Sequence, residues 1–525
     1  MIAIGYDYGT TTSWMTAWSE KDKSQRVVSM PSALLLRQNS NEYIFGDNAI
    51  AQANTTGEFI KSPKRYIVEK KTMDFEETYH CCLGNVLRCF SGQMLDKVMA
   101  LNHTGRPACI TVTIPNCYDG EQMRFMRQSM EEMFAQHYGG CKLYLLPEPI
   151  AAAIYYVMSV PIPGGVKEER YIVTCDIGGG TTDLSVIWLC REKVKNNKID
   201  VTFKVVATVS DGKLGGDNID SLLFNSLIQD IQGELANEHG SKLEVMKAKE
   251  LLSHATEAKV EVFLNNGTPK CCTFHRTQLK EQLKLTVCNA SNSTFSERLT
   301  SWIQKLKWLT EQAYRTEFKS QNVVFDWSKV ILLPVGGSMR IPYLRDVFRL
   351  AFPGANMHDL KNELDEKYNS VVYGAMFYSA IMSNMSSLRI RNVSIVGRNR
   401  FPVSVEYLQN RLYPIVQTNM PDGCYCTDRL RPLKILSDGS FEISNLRLFL
   451  RDDDEIAEND VADFELPINQ TFMSNGRKAD EIPIKLSLEV ANSEILKAKV
   501  MIENIDADGH DFVREYSQDE ILRRL

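Results

Sequence analysis

Two short runs constrain this chain more than any other feature of it: "MIAIGYDYGTTTSW" (Met1 to Trp14) and "YIVTCDIGGGTTDLSV" (Tyr171 to Val186). Each is an apolar strand that ends in an Asp and then turns through Gly and Thr. The carboxylate sits at the strand end, and flexible backbone and hydroxyls lie just beyond it. Glycine lets main-chain N–H groups approach an anion closely, and clustered hydroxyls and N–H dipoles suit phosphate oxygens. Two such turns facing each other could grip one polyphosphate from both sides.

The 525 residues exceed the roughly 250–300 at which a single core stops growing, so the chain is expected to hold several domains. Hydrophobic content of 44%, charged content of 24% and a net charge of -6 describe an ordinary globular protein with no general attraction to nucleic acid or to an acidic membrane. The opening residues form a strand without a basic or long apolar leader, and no uninterrupted apolar run reaches the roughly 18 residues of a membrane span. The thirteen Cys are scattered and include the adjacent pairs Cys81-Cys82 and Cys271-Cys272, which suits reduced thiols in a cytoplasmic protein better than a disulfide framework. Cys424 and Cys426 form only a C-x-C, too sparse for a zinc site.

Over the first 380 or so residues, strand-like runs such as "ACITVTIP" (Ala108 to Pro115) alternate with helical patterns, which predicts α/β architecture. Met123, Met126, Met130 and Met133 recur at helical spacing within Glu121 to Tyr138, as do Trp302, Leu306, Leu309 and Ala313 within Leu299 to Tyr314; both stripes read as core-facing. The arginine-bearing stretch Ser386 to Arg400 reads as a connector. From Phe401 onward alternation at period two takes over, as in Leu446, Leu448, Leu450 and in Ile482, Ile484, Leu486, Leu488, Val490. This predicts a separate antiparallel β domain, with the acidic run Arg451 to Glu465 as a solvated loop and a hairpin turn at Ala491 to Glu494. Ser517 and Glu520 make a capping-box pattern for a short last helix.

No G-x-x-x-x-G-K-[ST] loop occurs, so phosphate would have to be held by the paired turns. A third strand–glycine–helix unit, "VILLPVGGSMRIPYLRDVF" (Val330 to Phe348), carries Gly336, Gly337 and Ser338, where a base or ribose could lie against the backbone. Taken singly, such turns also serve tight packing alone. Asp7 and Asp183 read equally as strand-end caps, Lys64 as a surface charge beside Arg65, and Glu148 as a helix-start residue favoured by the dipole.

Taken together and in order, these motifs resemble the seventy-kilodalton heat-shock (DnaK-type) chaperone family of the actin-like ATPase superfamily, from Met1 to about Asn384. "GYDYGTTTS", "DIGGGTTDLSV" and "VGGSMRIPYL" are similar to its two phosphate loops and its adenosine motif. "PKRYIV", "ITVTIPNCYDGEQ", "PEPIAAAIYY", "SDGKLGGDNID", "EAKVEV" and "YGAMFYSAI" follow in the family's order. The resemblance implies an actin-like, two-lobed ATPase domain of ribonuclease H-like repeats over 1–384 that binds ATP or ADP in the cleft. A linker over 385–400, a small antiparallel β-sandwich domain over 401–510 and a helical tail over 511–525 would follow.

Residue by residue, it implies phosphate contacts from Gly9, Thr10, Thr11, Thr12, Gly178, Gly179, Gly180 and Thr182. Asp7, Asp176 and Asp183 would hold hydrated Mg²⁺, with potassium ions beside them. Lys64 is implied as the catalytic lysine, Glu148 as the carboxylate fixing the attacking water, Thr181 as a hydroxyl near the γ-phosphate and Asp176 as proton acceptor. Gly215, Gly216, Lys259, Gly336, Gly337, Ser338 and Arg340 would serve the nucleotide otherwise. Thr256, Lys259 and Val260 stand where many members present a Glu and a basic pair to the adenine. The linker "LRIRNV" departs from the family's leucine-rich acidic one.

The function so implied is an ATP-hydrolysing chaperone-like protein whose β module, with too few residues after it for a helical lid, binds a polypeptide client. J-type co-chaperones and nucleotide exchange factors are the implied partners. A nucleotide-dependent binding protein for one specific partner and a small-molecule kinase of the same superfamily are the alternatives.

Overall fold

The apolar runs that end in Asp7 and Asp176 are the central strands of two sheets in a computed structural model of the chain. It describes residues 1–525 apart from 22–23, 38–41, 54–56, 102–105, 119, 140, 163–165, 195–197, 232, 288–291, 319–323, 359–368, 386–387, 398–402, 409–410, 417–422, 433, 450–461, 463, 492–493, 504, 506–509, 518–519 and 524–525. Two units are distinguished, one made of Met1–Tyr118 with Gln122–Ser394 and the other built on Ile395–Leu525.

In the first unit, Ile2–Asp7 is buried at every position, as a strand covered on both faces must be. It pairs antiparallel with Thr12–Ser19 and parallel with Pro107–Ile114. The sheet runs Ser24–Pro31, Thr12–Ser19, Ile2–Asp7, Pro107–Ile114, Lys142–Pro147. The second sheet repeats that plan: Ile199–Asp211, Thr182–Lys193, Lys167–Ile177, Ile331–Val335, Asn356–Met357. In each half the order is third, second, first, fourth, fifth, with a hairpin followed by parallel strands. The repeated strand–Asp–turn device therefore reflects a repeated topology.

Helices cover these sheets along the predicted stripes. Met123, Met126, Met130 and Met133 of the helix Gly120–His137 are buried in the core of the first half. The helix Phe295–Phe318 buries Leu299, Ile303 and Leu306 in the core of the second, with Trp302, Leu309 and Ala313 along its margin.

The connector expected over 385–400 is in part a strand. Ile390–Val396 extends the second sheet beyond Ile199–Asp211, whose open edge offers unpaired main-chain groups. Leu388 and Ile390 are buried, the Lys198 ammonium donates to the Leu388 carbonyl, and Arg391 turns outward to pair with Asp200.

The second unit consists of antiparallel sheets whose apolar faces share one core, with Val405, Leu448 and Leu466 from one sheet and Leu488, Val500 and Tyr516 from the other. Phe401, most of the acidic run Arg451 to Glu465, and residues 492–493 of the expected hairpin turn lie outside the described residues. The helix expected at the C-terminus is corrected: Phe512–Ser517 and Leu522–Arg523 are strands. The capping-box contact does form, with the Glu520 carboxylate accepting from the Ser517 amide and hydroxyl, both at 2.8 Å. Pairing with Glu494–Ile502 nevertheless wins, because alternation sends Tyr516 into the core.

Candidate functional site

At the ends of the central strands the two glycine–threonine turns meet. Gly178 N–H donates to the Thr181 carbonyl at 2.9 Å, closing the second turn, and a Cβ on Gly179 would fall 2.0 Å from the Thr11 hydroxyl of the first. Only glycine permits that approach. The first turn is braced by Ser32, whose hydroxyl donates to the Gly9 carbonyl at 2.7 Å and whose amide donates to the Thr11 carbonyl at 2.8 Å. Gly336, at φ 84°, lies so close to the second strand that a side chain there would strike the Asp176 carboxylate. From the turn that follows, the Ser338 hydroxyl donates to the Gly178 carbonyl at 3.1 Å.

The cleft these turns enclose holds about 640 Å³, within the range of small-molecule sites. It is lined by Asp7, Gly9, Thr10, Thr11, Thr12, Lys64, Glu148, Asp176, Gly178, Gly179, Thr181, Gly336, Gly337, Ser338 and Arg340, which brings most of the residues singled out in the sequence to one place.

Lys64 and Glu148 belong to its lining. Each opens a helix, Lys64–Val68 and Glu148–Ser159, and both are buried, at 3% and 7% exposed, with the ammonium 3.4 Å from a carboxylate oxygen. The reading of Lys64 as a surface charge is thereby set aside. Burial pushes the Glu148 carboxyl up to about 7; Lys64 opposes this, and the nearby charges of Asp7 and Asp183 add to it. Despite the cost of burial, Glu148 and Asp7 keep the Lys64 ammonium charged. Asp7 is itself held from two sides, by the Thr113 hydroxyl at 3.1 Å and the Asn369 amide at 2.7 Å.

Other expected contacts are placed behind the wall. The Thr182 hydroxyl donates to the Leu214 carbonyl at 2.8 Å, Gly215 packs on Gly180, and Gly216 N–H donates to the Gly178 carbonyl at 2.9 Å. Asp183, buried beside the cleft and close enough to Glu148 to raise its carboxyl, accepts from the Ser210 hydroxyl at 2.5 Å. Lys259 is corrected outright. It lies on the exposed face of the strand Glu257–Phe263, where alternation buries Val260, and it is not among the residues that line the cleft. The last turn of the helix Glu238–Leu252 and the residues after it supply that wall instead, with Lys249, Glu250, Ser253 and His254. Lys249 is paired with Asp220 at 2.8 Å.

Behind Lys64 an ion network ties its helix to the second half. Arg65 reaches Asp217 at 2.8 Å, and Lys61 reaches Asp217 at 2.8 Å and Asp220 at 3.4 Å. Burial works to raise the Asp217 carboxyl, and Lys61 and Arg65 overcome it, holding it below the usual carboxylate range.

The donor set suits a polyphosphate: glycine turns, four threonine hydroxyls and one buried ammonium. Among the described residues no three His, Cys, Asp or Glu side chains close around a metal position.

Two α/β halves of one topology, closing a phosphate-suited cleft over a buried lysine–glutamate pair, define the class. The sequence profile of the Hsp70 protein family matches residues 92–421, and the chain belongs to that family. It is also similar to the Chaperone protein HscA homolog of Shewanella frigidimarina (strain NCIMB 400), with 30% identity over 259 residues, 49% of this chain and 36% of that protein. The match thus spans about a third of the length of that curated relative. No helix among the described residues is long and apolar enough to cross a membrane.

Proposed function

We propose that this chain binds ATP with Mg²⁺ in the cleft, hydrolyses it to ADP and phosphate, and uses the β unit to hold a polypeptide segment, as a chaperone-like ATPase. The observation that supports the reading is the close approach of Thr11 and Gly179, turns of the two halves, in a cleft that the buried Lys64–Glu148 pair also lines.

On this reading Thr10, Thr11, Thr12 and Thr181 donate to phosphate oxygens, and Lys64 neutralises charge that develops as the terminal phosphoryl group departs. Glu148, when ionised, orients the attacking water, and Asp176 accepts its proton. Asp7, Asp176 and Asp183 would hold the cation through water, and bound Mg²⁺ would supply charge neutralisation across the phosphates. Gly336, Ser338 and Arg340 face the nucleoside from one side and Lys249, Glu250 and Ser253 from the other.

The test is a melting scan with ATP, ADP and GTP, with and without Mg²⁺, followed by single-turnover hydrolysis. A ligand at 100 times its Kd stabilises by about 2.7 kcal/mol, so a clear upward shift with ATP and Mg²⁺ is expected. No shift with any nucleotide at millimolar concentration would overturn the reading. Peptide anisotropy with several unrelated apolar heptapeptides tests the β unit; binding of one natural partner alone would favour a dedicated nucleotide-dependent binder.

A further inference from the structure

The segment that leaves the strand Pro107–Ile114 touches the machinery of both halves. Thr113, on that strand, donates to Asp7. Three residues on, the side chain of Asn116 is buried at 7% exposed, and its amide donates to the Ser185 hydroxyl at 2.8 Å and the Thr208 hydroxyl at 2.9 Å. Those hydroxyls lie 3.1 Å apart on paired strands of the second half. Asp183 and Ser210 pair two residues further along the same strands and are joined by their own hydrogen bond at 2.5 Å. Side chains two apart on a strand share a face, so the Asn116 bridge and the Asp183–Ser210 pair lie side by side on one surface.

Desolvating a primary amide costs free energy that only well-placed acceptors recover, and an apolar side chain could fill the same space without that cost. Here the amide is spent on joining the halves at the level of the two aspartates. We propose that Asn116 is a positioning residue that fixes Asp183 relative to Asp7, and so sets the affinity of the cleft for the divalent cation that accompanies a nucleotide. The proposal rests on the nucleotide-binding reading above. The segment acts on one aspartate directly through Thr113 and on the other through the clamped strand pair. Two carboxylates that hold one hydrated ion from opposite halves need such a spacer, because small displacements of oriented groups are costly.

The test uses the full chain and a fluorescent ADP analogue, with affinity measured across a Mg²⁺ titration and in EDTA. Asn116→Ala should raise the Mg²⁺ concentration giving half-maximal affinity on the order of tenfold, as loss of a supporting hydrogen bond around a metal typically does, with affinity in EDTA unchanged. Ser210→Ala should act in the same direction, Ser185→Ala more weakly, and the Asn116–Ser210 double variant by less than the product of the single effects. Should Asn116→Ala not fold, the two serine variants carry the test. An unchanged Mg²⁺ dependence in variants that are only less heat-stable would overturn the proposal and leave Asn116 as packing. A wild-type chain that binds no nucleotide in either condition would overturn the reading beneath it as well.

Discussion

The Lys64 ammonium and the Glu148 carboxylate lie 3.4 Å apart in the lining of the cleft, both largely buried, with Asp7 and Asp183 close enough to press on the Glu148 charge. Removing either partner leaves the other uncompensated, so their variants are informative in opposite ways.

Lys64→Ala should slow hydrolysis by on the order of 10²–10³ while nucleotide affinity falls much less, because the lysine acts on charge that develops in the transition state. Single-turnover rates set against equilibrium binding would check this, and an undiminished rate would remove Lys64 from the chemistry. Thr181→Ala should also slow turnover but less so, since its hydroxyl is one of several donors lining the cleft.

Glu148 gives the cleft a pH dependence near neutrality. Its folded value of about 7 lies above the roughly 4.3 of a free glutamate, so the folded chain holds this proton more tightly than the unfolded one. The resulting stabilisation is complete below the unfolded value and is lost as pH rises through about 7. Catalysis should run the other way, rising over the same window as the carboxylate ionises and can orient water. A rate profile from pH 5.5 to 8.5 checks this, with Glu148→Gln expected to be slow and flat across that interval.

The sequence made the strand–Asp–turn units legible because the same device recurs, in order and with a third glycine turn, and the methionine and leucine stripes because burial enforces helical period. Position along the chain alone misled at Lys259. The strand around it resembles the family motif, yet its alternation points Lys259 outward, and the wall comes from Lys249, Glu250 and Ser253 one element earlier. Asn369 escaped notice too, although an Asn just before the apolar run of Ser370–Met382 is a cap signal; it caps that helix and also donates to Asp7. Ile390–Val396 was illegible as a strand because what orders it is the open edge of a distant partner. Nothing in its own sequence, IRNVSIV, announces that pairing.

The Asp217 network predicts a kinetic effect with little chemical one. Lys61 and Arg65 are each about two-fifths exposed, so their pairs with Asp217 are screened by solvent and worth roughly 0.2–1 kcal/mol apiece. Asp217→Asn should therefore loosen the tie between the Lys64 helix and the second half and speed nucleotide release by several-fold. Stopped-flow release at low and high salt checks it: the wild-type rate should climb toward that of the variant as salt rises. A variant that releases nucleotide at the wild-type rate in low salt would show that the network does not restrain the cleft.

The C-terminal correction gives the last prediction. A capped terminal helix with no strand partners could be removed at little cost, whereas the observed strands could not. Phe512–Ser517 pairs along Glu494–Ile502, and Tyr516, at 2% exposed, stands in the shared core with its hydroxyl on the Pro467 carbonyl at 2.9 Å. Leu522–Arg523 pairs with Phe464–Phe472 in the other sheet, so these last residues stitch both sheets of the unit. Tyr516→Ala should cost about 3 kcal/mol or more, as for other large buried aromatic side chains. Tyr516→Phe should cost nearer 1 kcal/mol, since it forfeits one hydrogen bond and leaves the Pro467 carbonyl without its donor. Urea unfolding followed by circular dichroism separates the two, because the β unit should unfold at lower denaturant while the nucleotide-dependent transition of the first unit stays in place. Ending the chain at residue 510 should lower that first midpoint further still. A shortened chain with an unchanged midpoint would mean that the terminal strands contribute nothing to the core they cover.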